Sequence, residues 1–116
     1  MAEKVGIVAV AQTKYRPNRA DAFEGELAYE VVRPVLEETG LGFSDDGAGI
    51  DCAITCSQDF WDGRTISNTS VMSVVGAHLS DEDKVNEDGI NAVYCAMARI
   101  LSGRHDVVLV VSHMKE

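Results

Sequence analysis

The sequence predicts an α/β domain built on a mixed, mostly parallel sheet with helices on both faces. Two observations carry this. Residues 5–11 (VGIVAVA), 50–56 (IDCAITC) and 106–112 (DVVLVVS) are short, nearly continuous apolar runs rich in β-branched side chains. Runs of that kind suit strands buried on both faces, as in parallel sheets. Between them lie stretches whose apolar residues recur with the helical period, and alternation of the two kinds implies layered βα units. There is no internal repeat and no low-complexity segment.

Taken in order, residues 5–11 are expected to form the first strand. Residues 12–24 are polar, contain Pro17 and Asn18, and read as a connection. Residues 26–39 form a helix, because Ala28, Val31, Val32, Val35 and Leu36 fall on one face. Pro34 removes one backbone hydrogen bond inside it, and Gly40 stands where a C-terminal cap belongs. Residues 42–49 (GFSDDGAG) are a turn-rich link to the strand at 50–56. A further helix starts near Ser67 or Asn68 and ends near Gly76. Residues 80–83 read as an acidic turn and Lys84-Val85 as a short strand. The strongest helix spans 88–101. Ile90, Val93, Tyr94, Met97, Ile100 and Leu101 cover more than one of its faces, which predicts a buried helix that ends at Gly103. The strand at 106–112 closes the order β-α-β-α-β-α-β. Only a few residues follow that strand, so the 116 residues are expected to be one domain that is a fragment or half of a larger unit.

Composition narrows the function. The 19 acidic residues against 10 basic ones give a net charge of −9. Phosphate contacts need a basic face, so nucleic acid is not an expected partner, and neither is an anionic membrane surface. No apolar stretch has the length of a membrane span. Three cysteines without a secretory leader suggest a reducing, cytoplasmic setting.

No phosphate-binding glycine pattern follows the first strand. Cys52 and Cys56 lie on one side of a strand, but no second pair completes a metal site, so they read as small core hydrophobes. Cys95 also reads as core packing. His78, His105 and His113 are scattered. His105 lies in a loop expected to be exposed, whereas His113 ends the last strand, where ligands bind in open α/β sheets. The acidic group Asp81, Glu82, Asp83, Glu87 and Asp88 lacks a calcium-loop pattern and reads as a solvated face with carboxylates at a helix start. No metal site and no cofactor are expected.

Residues 84–111 are the most informative. A short strand leads into a helix, then Ser102-Gly103, then Asp106-Val107 and an apolar strand. A strand-to-helix junction of this kind gathers free backbone amides and the positive end of a helix dipole, a setting that suits a nucleophile. The segment resembles the thiolase superfamily, especially the sterol-carrier-protein-type thiolases. In that family a short strand runs into C-x-x-G, an alanine-rich helix, S-G-x-x-D-V and an apolar strand. Gly89, the helix at 92–101, Ser102-Gly103, Asp106-Val107 and residues 108–111 match this order. Residues 5–13, 36–41 and Ile50-Asp51 are similar to earlier parts of the family pattern, so the likeness runs along the whole chain.

The resemblance implies a thiolase-like N-terminal half-domain that handles acyl-CoA, as an acyltransferase or a carbon–carbon bond-forming or bond-cleaving enzyme. It also carries a departure. The family's nucleophilic cysteine falls on Asn86, which cannot form a thioester, and Glu87 and Asp88 follow it. Cys95, nine residues further on and about 13 Å along a helix, is no replacement. The family's G-H-P histidine and its second cysteine are also missing. Whether the chain is an enzyme is therefore left open.

Two readings follow. One is a protein that binds an acyl-CoA thioester as substrate, with Asn86 and Gly89, and more weakly His113, as binding residues. In it Asn86 donates a hydrogen bond to a thioester or enolate oxygen. The other is a degenerate, non-catalytic subunit that forms a homo- or hetero-oligomer with a thiolase-like chain, pairing through Lys84-Val85. A third expectation, an unrelated doubly wound ligand-binding domain, has no glycine motif behind it.

Overall fold

In a computed structural model the chain is described over residues 3–43, 49–57, 70–77, 80–86 and 88–113. The elements are α1 (Glu24–Thr39), β1 (Cys52–Ser57), β2 (Asp81–Asn86), α2 (Gly89–Leu101) and β3 (Val108–Ser112). The three strands form an all-parallel open sheet in the order β2-β1-β3. Among the described residues no strand runs antiparallel.

β1 is the middle strand, and all six of its residues are buried. This explains its uninterrupted apolar run: a central parallel strand meets a layer on each face. The alternation of its side chains separates two cores. Ala53, with Leu109 and Val111 of β3, packs against Ala28 and Val32 of α1 and against Val71, Val75 and Ala77. Cys52, Ile54 and Cys56 pack on the opposite face against Ala92 and Ala96 of α2. The helices thus cover both faces, as the sequence suggests.

α1 is held at both ends. The Phe23 N–H donates to the Glu26 carboxylate, which folds back over the first turn at 2.8 Å. At the other end Gly40 turns left-handed (φ 69°) and its N–H donates to the Leu36 carbonyl. The helix runs through Pro34 without a break.

Several expectations are corrected. Residues 5–11 form no strand, and Ile7, Val8 and Val10 are each about three-quarters exposed. A run of apolar residues records a preference for burial. A strand also needs a hydrogen-bonded neighbour, and residues 5–11 pair with no described strand. Residues 70–76 form consecutive turns rather than a helix, and the expected start at Ser67 or Asn68 lies outside the described residues. The strand expected at Lys84-Val85 is present, but it starts earlier: the acidic stretch 81–83 is no turn but the first half of β2. An edge strand carries charge readily, because charge blunts unwanted pairing and most of its surface is wet. That is why hydropathy hid its first half.

α2 is also less buried than its composition suggests. Only Ala92 and Ala96 are fully buried, while Ile90 and Tyr94 are more than half exposed. Small alanines let the helix sit close on the sheet, and its large side chains splay outward. Cys95 lies on the outer side and is exposed, which corrects its expected core role. Among the described residues no helix is long and apolar enough to cross a membrane.

Candidate functional site

The carboxyl ends of the three strands meet the start of α2 at one edge of the sheet. In open parallel sheets this edge is where ligands bind. Asn86 is the last residue of β2 and pairs in register with Ser57, the last residue of β1. Cys56 pairs with Ser112 at the end of β3, and the His113 N–H donates to the Cys56 carbonyl at 2.8 Å. Asn86, Ser57 and His113 therefore form one row across the sheet. With neighbouring strands about 4.8 Å apart, the backbones of Asn86 and His113 stand about 10 Å from each other.

The turn from β2 into α2 is tight. The Asp88 N–H donates to the Asn86 carbonyl at 3.1 Å. Asp88 is the N-cap, and its carboxylate accepts from the Ile90 N–H at 2.9 Å. This arrangement has a chemical consequence. The positive end of the helix is already met by a carboxylate, so it offers less to a thiolate or oxyanion than a neutral cap would. Gly89 packs closely: a Cβ there would stand 3.1 Å from Ser112 Oγ and 3.2 Å from its Cβ, so a larger residue needs Ser112 to give by a few tenths of an ångström. A glycine lets α2 start directly against the end of β3.

Of the residues expected at a site, the structure brings Asn86, Gly89 and His113 to this edge. Ser57 and Ser112 join them, and the sequence reading missed both. Their signal was position alone, the last residue of an apolar run. Asn86 is exposed, His113 half-buried and Ser57 buried. Cys56 faces the α2 side of the sheet, fully buried under the helix.

The opposite, amino-terminal edge carries a charged clasp. Asp81 Oδ2 accepts from His105 Nε2 at 2.8 Å and from Arg104 at 3.2 Å. Because a carboxylate only accepts, this bond puts the ring proton of His105 on Nε2. The bond from His105 and the charge of Arg104 hold the Asp81 carboxyl below the usual carboxylate range. Asp83 pairs with Arg99 of α2. His105 is 5 % exposed, which corrects its expected place in solvent. Asp51 reaches across from the start of β1 and accepts from the N–H groups of Asp106 and Val107 at 2.9 and 3.2 Å. These contacts fix where β3 begins. Asp81 and Asp83 are held in these structural pairs, and among the described residues no three potential ligands cluster around a metal position. Glu87 and His78 lie outside the described residues. Burial raises the Cys52 thiol above its ordinary pKa, as suits a core residue.

Set against known family models, characterised proteins and solved structures, the chain matches none.

Proposed function

We propose that this chain is the N-terminal part of a thiolase-like protein that binds an acyl-CoA thioester without forming an acyl-enzyme. In this reading Asn86 stands in the nucleophile's position and donates its amide N–H to the thioester or enolate oxygen. The reading is carried by one observation: Asn86 ends β2 three residues ahead of the first residue of α2, in the same row as Ser57 and His113. An exposed amide beside a helix start can donate without titrating. The acidic cap at Asp88 supports a neutral donor over a thiolate-like nucleophile.

The test is acetyl-CoA binding measured by calorimetry on the unsubstituted chain and on Asn86→Ala. Loss of one hydrogen bond is expected to weaken binding by about 3- to 10-fold. Labelled acyl-CoA is expected to leave no covalent adduct. Absence of binding to the unsubstituted chain would remove the proposal.

A second reading, a non-catalytic subunit that assembles with a thiolase-like chain, is favoured by one surface feature. Ile90, Tyr94, Met97 and Leu101 fall at helical spacing on α2 and are exposed, Ile90 and Met97 beside the cavity that residues 5–11 also line. Sedimentation of the chain alone and with such a partner tests it, and a monomer in both mixtures argues against it.

A further inference from the structure

α2 carries two sets of apolar residues. Ala92 and Ala96 pack on β1, and Arg99 reaches back to Asp83 of β2. Ile90, Tyr94, Met97 and Leu101 are exposed. At about 100° per residue these four cluster about 150° around the helix from the two alanines, away from the sheet. Ile90 and Met97 border the cavity that residues 5–11 line, and Tyr94 and Leu101 do not. The four are spaced four, three and four residues apart, the a/d seam of a coiled coil over nearly two heptads. The flanking positions Asn91, Val93, Ala98 and Ile100 are uncharged. Because α2 is already folded against the sheet, packing on this seam carries no cost of forming the helix.

Symmetry and charge both select a second copy of this chain as the occupant. Ile90 and Leu101 share one midpoint with Tyr94 and Met97, between Cys95 and Ala96. A two-fold axis at that midpoint sets Ile90 against Leu101 of the second copy and Tyr94 against its Met97, so the surface is its own complement. A chain with net charge −9 repels its copies over most of its surface, and α1 exposes Glu26, Glu30, Glu37 and Glu38. The seam and its flanks carry no charge. Its ends differ in sign. The exposed Asp88 caps the start of α2, and Arg104, exposed though bonded to Asp81, follows its end. Antiparallel pairing brings Asp88 of one copy beside Arg104 of the other, whereas parallel pairing sets the two Asp88 carboxylates side by side.

We propose that two copies of this chain pair through α2, antiparallel about that two-fold axis, with Ile90, Tyr94, Met97 and Leu101 as the interlocking seam. The inference rests on the subunit reading above, whose surface it uses, and gives that surface a partner: a copy of this chain in place of a thiolase-like one. It does not depend on thioester binding at Asn86.

Sedimentation equilibrium on the full chain tests it, with a dimer expected in the micromolar range. Met97→Glu and, separately, Tyr94→Glu are expected to raise the dissociation constant at least about 10-fold while circular dichroism stays unchanged. Cys95→Glu, exposed but off the seam, is expected to leave the dimer intact. Cross-linking reads the orientation. In Cys95→Ser chains, an oxidised mixture of Ile90→Cys and Leu101→Cys is expected to give a mixed disulfide dimer. Ile90→Cys alone is expected to give none, because antiparallel pairing holds its two copies about 16 Å apart, beyond the roughly 7 Å that a disulfide spans. A dimer that survives both glutamate substitutions, or Ile90→Cys chains that cross-link to one another, would overturn the inference. So would a chain that is monomeric alone and binds only a thiolase-like partner, which would leave the subunit reading standing. A monomer in both mixtures would remove the inference and that reading together.

Discussion

Asp81 accepts from two side chains at once, the guanidinium of Arg104 and the ring of His105. Its folded-state pKa is lowered, so the folded protein releases that proton more readily than the unfolded chain does. The stabilisation is present above the ordinary carboxylate pKa of about 4 and is lost as pH falls through the lower folded-state value. We expect Asp81→Asn to melt below the unsubstituted chain at neutral pH, with the gap closing in thermal melts as the pH falls below about 4. A gap that persists unchanged through that window would show that the clasp acts through shape instead of charge. This pairing was hidden in the sequence because its members lie 24 residues apart and meet only through the parallel register. Gly89 is similar: its glycine is visible in the sequence, but its close approach to Ser112 is not.

At the scale of elements, the small side chains of α2 decide how closely it lies on the sheet. Ala92 is fully buried against Cys52, Ile54 and Cys56. Enlarging it forces the helix away from three side chains packed at crystal-like density. Ala92→Leu is therefore expected to cost about 1–3 kcal/mol in denaturant unfolding, although leucine is as apolar as the site requires. An unchanged midpoint would mean that α2 rides loosely on the sheet. The element also shows how periodicity misleads. Its large apolar residues are easily read as a buried face, yet the alanines make the contact and Ile90 and Tyr94 stay outside. β2 is the reverse case, a strand whose acidic sequence hides its first half because its ladder needs only backbone groups.

At the scale of the whole molecule, a net charge of −9 on 116 residues sets up repulsion that no single ion pair cancels. Raising sodium chloride from about 0.01 to about 0.15 M shortens the screening length from about 30 to about 8 Å. We expect the melting temperature to rise by a few degrees over that range. A fall would show that the clasp around Asp81 and the Asp83–Arg99 pair outweigh the repulsion. The sequence by itself determined the αβ class, the extent of α1 with its Gly40 cap, the central strand β1 and the junction at Asn86. Each of these is written in local residues: a helical period, a left-handed cap, an unbroken apolar run, a strand leading into a helix. Only the tertiary structure decided the strand order, the burial of His105, the outward placement of Cys95, and the row that joins Asn86, Ser57 and His113. These depend on which strand lies beside which. A parallel ladder joins residues that the chain separates by a whole crossover, and no local pattern encodes that choice.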